Sequence, residues 1–480
     1  MNNNKLKLIY FLLFILLISS CKENISTTPS IEFKSFPEKD IQFDSNGDII
    51  SSEIDTSDFH PSNNCVGCHA EYVAEWKLSM HAYSMRDPVF FSGWQSEHFN
   101  RAETGERFCI QCHSPVAYVT GTKLDKYINE YEIIAGLQND SELSMSIKEG
   151  VTCTVCHSFT GISKTVETGY DVAAEAEYHM NPGEGIMYGP IESPVAIESS
   201  ANSYAHKSEY NNLFRSSEAC LPCHDLKIRG VDAEITFSEW NNIPQFGMAG
   251  LVSCQECHMP IITRQVATGG PVREAHQHTF VGVDIDLTQN IPEQYESAEK
   301  LLQGSVELKF GGLIAEDTIN IENSVLSIPV TVKSLTGHSL PSGTPFAREA
   351  WLETIVTDAD GDTIFSSGTI EGPTSNLVLS DTNLVLYTAY LLKSDGDTTT
   401  SVTDAFDIIS QMLPGLESQV HKYEISYDFS SVGSFSISVR MRFRAFKPFL
   451  LEGLEEEYPG LPARQPVFDM ARIDTTYIIP

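Results

Sequence analysis

Five copies of one short pattern run through the first part of the chain: Cys65-Val66-Gly67-Cys68-His69, Cys109-Ile110-Gln111-Cys112-His113, Cys153-Thr154-Val155-Cys156-His157, Cys220-Leu221-Pro222-Cys223-His224 and Cys254-Gln255-Glu256-Cys257-His258. From the chain's own Cys and His frequencies, about 0.007 matches to CxxCH are expected by chance. Five are therefore not accidental. Two thiols three positions apart can form thioethers to a porphyrin, and the histidine next to the second thiol can then bind the iron axially. The pattern reads as five c-type haem attachment sites, with haem iron as the metal. Paired thiols also bind zinc, but zinc would need two more ligands per site and gives no reason for a histidine after every second cysteine.

Eleven cysteines, less the ten in the motifs, leave only Cys21. With no thiol free for a disulfide, covalent cofactor is the staple of the fold. An iron has two axial positions, so five irons bound by the motif histidines can take at most five further ligands. Nine histidines lie outside the motifs. The candidate distal ligands are His81, His206, His278, His179 and His276. His60 and His98, each shortly before a motif, are further candidates. His421 lies on the face of Tyr423, Ile425 and Tyr427 in an expected strand and reads as packing. His338, in Thr336-Gly337-His338-Ser339-Leu340-Pro341-Ser342-Gly343, reads equally as a turn residue or as a ligand leaning on the haem region. Met259 directly follows His258 and cannot reach the far side of the same iron.

The elements that must position these groups can be sketched. Tyr72, Val73, Trp76 and Met80 recur at helical spacing, which predicts a helix over 70–84 carrying His81. On a continuous helix His81 lies about 18 Å from His69. It therefore cannot serve the iron of its own motif, but it can serve a neighbouring one. Motif spacings of 44, 44, 67 and 34 residues leave each cofactor a few dozen residues, so short helices and ordered loops are expected. The longest interval includes Tyr178-His179-Met180 and Asn181-Pro182-Gly183-Glu184-Gly185 and reads as loop. A short helix is expected over 292–302. Beyond it, Leu326, Ile328, Val330 and Val332, and later Phe435, Ile437, Val439, Met441 and Phe443, alternate with polar residues as half-buried strands do. Asp360-Gly361 and Asp395-Gly396 signal hairpin turns, and Pro329 signals an edge strand.

The chain ends carry other information. Lys5 and Lys7 precede an eleven-residue apolar run, Leu8 to Ile18, which fits an export signal and is too short to span a bilayer. Ile18-Ser19-Ser20-Cys21 resembles a bacterial lipobox with Cys21 as the lipidated residue. The expected protein is an exported lipoprotein anchored to the outer membrane, on its periplasmic face or at the cell surface, with that anchor as its sole membrane contact. Asp44-Ser45-Asn46-Gly47-Asp48 lacks the bidentate Glu of a calcium loop and reads as a turn. A formal net charge of -34 excludes a nucleic-acid partner. It favours redox partner proteins that present basic docking patches.

Taken together, Cys68-His69 with Trp76, Ser79 and His81, His206-Lys207-Ser208 ahead of Cys220, and Cys254 to Pro260 with His278 and Phe280 resemble the multihaem cytochromes. That group includes the tetrahaem electron carrier of ammonia oxidisers and, more distantly, the hydroxylamine oxidoreductases. The resemblance covers about 220 residues and implies distal haem ligation by His81, His206 and His278. The segment from Gly337-His338 to Arg348 resembles a sandwich module that follows haem domains in such proteins. The pentahaem nitrite reductases differ, because they carry a CxxCK haem and all five motifs here end in His.

The fold class expected is α+β and multidomain. Residues 1–20 form a lipoprotein signal, 21–58 an acidic flexible tether, 59–285 a mostly helical or irregular haem-packed cytochrome c module, and 286–480 an antiparallel, immunoglobulin-like β-sandwich. The expected function is electron transfer through closely packed, mostly bis-histidine haems. The alternative is a multihaem oxidoreductase acting on a small nitrogen or sulfur compound at one haem with an open distal position, with 159–219 as the place for its pocket.

Overall fold

Short helices carry most of the first half. The structure, a computed structural model, describes residues 36–43, 49–100, 107–128, 133–164, 172–174, 176–194, 206–228, 230–247, 252–429 and 433–479, with only the backbone described at 43, 98–100, 107–108, 164, 172–174, 176 and 228. The export signal, Cys21 and the Asp44 to Asp48 turn lie outside the described residues. The predicted helix over 70–84 is instead two: α1, Val66–Lys77, and α2, Met80–Tyr83. Ser79 takes an extended conformation, and its hydroxyl accepts from the Ala82 amide, so it caps a new helix rather than continuing the old one. The break turns His81 away from the axis of α1. A third helix, α3, spans Pro88–Asn100, and a fourth, α4, spans Thr236–Asn241.

The part of the expected tether that is described is paired and fastened. Ile41–Phe43 and Ile49–Ser52 form an antiparallel hairpin, Ser52 Oγ donates to the Val119 carbonyl at 2.7 Å, and Lys39 pairs with Asp58. The low apolar content of the stretch hid these specific polar contacts. The interval between the third and fourth motifs, expected as loop, contains strands. Phe159–Lys164 pairs antiparallel with Ala176–Met180, and Ile186–Gly189 pairs parallel with Lys207–Tyr210. After the fifth motif, β1 (Ile261–Gln265) and β2 (Val272–His276) form a hairpin whose tip reaches back to the first motif, where the Thr268 amide donates to the Cys68 carbonyl.

Helix α5, Pro292–Gln303, is followed by two large antiparallel sheets and a small one in which Ala389–Leu392 pairs with Thr398–Thr399 and Asp407–Ser410. The first contains β3 (Val306–Phe310), β4 (Asn320–Glu322), β5 (Val325–Ser334) and β9 (Ser418–Ser426). The second contains β6 (Glu349–Asp358), β7 (Thr363–Ser367), β8 (Leu386–Tyr387), β10 (Ser434–Arg444) and β11 (Phe468–Ile478). Leu326, Ile328, Val330 and Val332 of β5 meet Leu352 and Val356 of β6 and Ile437, Val439, Met441 and Phe443 of β10 in one core, with Ala298 and Leu302 of α5 closing one side. Full burial of side chains this size stabilises by roughly 1.5–3 kcal/mol each.

Pro329 is not on an edge strand. Strand β5 is central, between β3 and β4 on one side and β9 on the other. The Pro329 carbonyl accepts from the Gly311 amide, so its missing N–H faces the side where β3 has ended and β4 has not begun. Proline is tolerated there because no ladder partner is lost. The Asp360-Gly361 and Asp395-Gly396 turns lie where the sequence signals them, with both glycines at positive φ. Haem-motif region and sheets belong to one compact unit, Ser35–Pro480.

Candidate functional site

Each motif lies on a short helical turn, which puts both thiols on one side and leads directly into the histidine. The His69 amide bonds the Cys65 carbonyl at 2.8 Å, His157 bonds Cys153 at 3.0 Å and His224 bonds Cys220 at 3.1 Å, the i to i−4 pattern of an α turn. The ten motif cysteines are all free of disulfides. Among the described residues no group of three or more Cys, His, Asp or Glu side chains converges on one point, as a zinc centre requires.

Among the described side chains, four of the five motif histidines face a second imidazole. His69 faces His206 with ring centroids 6.1 Å apart and planes 24° apart, and His157 faces His278 at 6.1 Å and 17°. His224 faces His81 at 6.4 Å and 50°, and His258 faces His338 at 6.3 Å and 18°. With a metal–nitrogen bond of about 2.0 Å on each side and roughly 1.2 Å from nitrogen to ring centre, an imidazole–iron–imidazole unit separates ring centres by about 6.4 Å. The four pairs fit an iron between them. Direct ring stacking would bring the rings much closer, as it does for Phe159 and Tyr178 at 3.6 Å.

The ring nitrogens are set for this task. His69 Nδ1 donates to the Val266 carbonyl at 2.8 Å, His157 to Tyr188 at 2.7 Å and His258 to Val281 at 2.6 Å. On the opposing side His206 donates to Lys207 at 3.0 Å, His278 to His276 at 3.1 Å and His338 to Ser339 at 2.9 Å. Each bond leaves Nε2 as the lone-pair donor and fixes the ring's rotation. Burial above all pushes His81 and His278 down to about 3 and His113 and His224 down to about 4. Neutral imidazole is the form that binds a metal.

His113 differs from the other four. The ring against it is Phe90 of α3, with centroids 3.8 Å apart and planes within 7°, and Trp94 lies nearly parallel to Phe90 at 6.1 Å. At that distance the two rings stack directly, so Phe90 packs on the face of the imidazole and does not stand across an iron from it. The described part of the interval 159–219, suggested above as the place for a pocket, supplies Tyr188 to the third motif and His206 to the first.

The sites are close to one another. Thiols of different motifs touch: Cys65 with Cys153, Cys112 with Cys223, and Cys220 with Cys254. Rings bridge neighbouring pairs as well. Tyr72 lies 6.2 Å from His69 and 4.6 Å from His278, and Phe280 lies 5.6 Å from His278 and 4.5 Å from His81. Glu75 of α1 organises this seam. It accepts from the His278 amide at 2.9 Å and pairs with Arg264, whose guanidinium lies over the Tyr72 ring.

Residues 64–158, spanning the first three motifs, match the sequence model of the family described as "Cytochrome c554 and c-prime". Among solved structures, the penta-haem cytochrome c552 of Thermochromatium tepidum superposes with a TM-score of 0.59 at 20% identity, over 88% of this chain and 99% of that one. The fold is that of a multihaem c-type cytochrome. A β-glucosidase 3B from Thermotoga neapolitana also aligns, with a TM-score of 0.13 and 9% identity over 36% of this chain and 17% of that one, a likeness too slight to argue from. Among curated proteins no match is found.

Within this cytochrome fold, three of the five candidate distal ligands, His81, His206 and His278, stand opposite a motif histidine. The other two do not. His179 pairs with Glu38, and His276 donates through Nδ1 to the Met259 carbonyl at 2.5 Å. His421 bonds the Tyr387 hydroxyl at 2.6 Å in β9. The side chain of His98 lies outside the described ones. The residue that sequence reasoning left undecided is His338, which reaches the fifth motif from the connection between β5 and β6. Its one sequence signal was its place in an irregular Gly- and Pro-containing segment between strands.

Proposed function

We propose that the chain is an exported, lipid-anchored cytochrome with five covalent haems that passes electrons along a fixed array. The motif cysteines hold the porphyrins. His69 with His206, His157 with His278, His224 with His81 and His258 with His338 close four irons. The observation that carries this reading is the separation of those four imidazole pairs, 6.1 to 6.4 Å. Bound haem supplies a one-electron iron couple. The chain's residues do the rest. They saturate four irons against ligand exchange, fix ring orientation through backbone carbonyls, and bring attachment sites into contact so that electrons need travel only short distances. Lys5, Lys7, the apolar run to Ile18 and Cys21 support export and outer-membrane anchoring, and the net charge of -34 supports a basic redox partner.

Among the described side chains no imidazole faces His113, and this favours a second role at one site. An iron held by His113 alone would be open to a small molecule on its far side, a nitrogen or sulfur oxyanion or hydroxylamine, while the other four supply or remove electrons. Low-temperature EPR of the purified protein tests both statements. Four low-spin haems and one high-spin haem are expected. Five low-spin signals would remove the enzymatic reading, and more than one high-spin signal would contradict the pairing. A mass five haems above the polypeptide checks the attachment.

A further inference from the structure

We propose that Glu239 is the positioning residue that holds His338 on the iron of the fifth motif, so that this haem is closed only while the C-terminal sheets are latched to α4. The proposal rests on the pairing of His338 with His258 argued above.

His338 lies in the 335–348 connection between β5 and β6, and its ring is oriented by the Nδ1 bond to the Ser339 carbonyl. The same Ser339 is gripped from its other side, since its amide donates to Glu239 Oε2 at 3.1 Å. That oxygen also accepts from Ser342 Oγ at 2.7 Å, so one carboxylate oxygen clamps both ends of 339–342. Thr236, one turn earlier on the same face of α4, shares a hydrogen bond with Ser342 Oγ at 2.7 Å and accepts from the Gly343 amide at 3.0 Å. The backbone fits closely around the clamp. A Cβ on Gly337 would come within 3.3 Å of both the Trp240 and Phe246 rings. One on Gly415 would come within 2.5 Å of Ile243 and 2.9 Å of the His338 carbonyl. Two glycines therefore let the segment lie flat against α4 and the turn that follows it.

The latch closes on itself. His258 Nδ1 is held by the Val281 carbonyl. Three residues later Asp284 takes both guanidinium nitrogens of Arg348 at 2.7 and 2.8 Å, and Arg348 Nε donates to the Ser342 carbonyl at 3.1 Å. Both imidazoles of one iron are thus supported by a single hydrogen-bonded circuit that runs from His258 through Asp284, Arg348, Ser342 and Glu239 to His338. Helix α4 is in turn tied to the preceding motif, because the Phe237 amide donates to the His224 carbonyl at 3.0 Å. Groups that orient a metal-bound histidine change its metal affinity about 10- to 100-fold when removed, and Glu239 acts through the peptide that orients His338.

The test uses the full-length haem-loaded protein. Glu239→Ala, Glu239→Gln, Ser342→Ala and His338→Ala are prepared, each confirmed to carry the parent's haem mass, and read by EPR and by carbon monoxide binding to the reduced state. His338→Ala should add one high-spin, carbon monoxide-binding haem to the parent's count. Glu239→Ala should move the same haem toward high spin and raise its carbon monoxide affinity about tenfold. Glu239→Gln, whose amide oxygen can still accept both bonds, should stay close to the parent. Should Glu239→Ala fail to fold, Ser342→Ala, which loses one clamp bond, should give a smaller shift in the same direction. A gain in His338→Ala with parent-like spectra in Glu239→Ala and Ser342→Ala overturns the latch and leaves the ligand pair standing. No gain in His338→Ala overturns the pair and the latch together.

Discussion

At the scale of single residues, the second motif differs from the rest. Phe90 stacks directly on the His113 ring, whereas each of the other four motif histidines stands 6.1 to 6.4 Å from an imidazole. Phe90→Ala removes the ring that holds the His113 imidazole in one rotation. We expect the EPR signal of one haem to broaden while the others keep their line shape, and an unchanged spectrum would mean that Phe90 does not hold that ring. His81→Ala should open the iron of His224 and add one high-spin signal. Buried Arg348 offers a stability test. Its bidentate bond to Asp284 is 10% exposed on the Arg side and 30% on the Asp side. Arg348→Ala should cost about 3 kcal/mol in denaturant unfolding, the lower end of what removing one member of a buried pair costs, because Asp284 keeps some solvent.

At the scale of elements, α3 is held by groups from beyond the haem-motif region. Glu97 near its end accepts from the Val402 amide at 2.9 Å, from Ser401 Oγ at 3.0 Å and from Thr403 Oγ1. Val89 near its start packs with Ile285, Leu287, Leu451, Leu454 and Leu461. The helix that carries Phe90 is therefore fixed at both ends by the C-terminal half. Glu97→Ala strands three donors and should lower stability by roughly 2–3 kcal/mol. The EPR signal of the His113 haem should change with it if Phe90 moves, and thermal melts and spectra on the same sample would separate the two effects. Local sequence foresaw α5 and the alternating strands because their burial follows one period. It did not foresee the break at Ser79, where a capping hydroxyl outweighed continuous helical spacing. It also placed Pro329 on an edge, since nothing local reveals a gap between β3 and β4.

At the scale of the whole molecule, the proposed electrostatic docking and lipid anchoring can each be tested. A chain of net charge -34 should exchange electrons fastest with a basic partner at low ionic strength. That rate should fall by about tenfold between 10 mM and 0.15 M salt as screening shortens to roughly 8 Å. Stopped-flow reduction by a basic and an acidic redox protein would reveal the contrast, and equal salt dependence would count against electrostatic docking. Cys21→Ala should release the protein from membranes, as seen by fractionation. Among the described residues no helix is long and apolar enough to cross a bilayer.

The sequence by itself determined the cofactor chemistry, because thioether attachment and the first axial ligand are written within five consecutive residues. It also supplied three of the four opposing histidines, His81, His206 and His278, as candidates. It could not assign partners, since His81 stands opposite His224 and His206 opposite His69 only after long loops have closed. Only the tertiary structure brought His338 from the sheets to His258, paired His179 with Glu38 and laid Phe90 on His113. The physical reason is the same in each case. Covalent attachment depends on neighbours along the chain, whereas closing an iron from its far side depends on which distant backbone carbonyls and carboxylates hold an imidazole a few ångströms away.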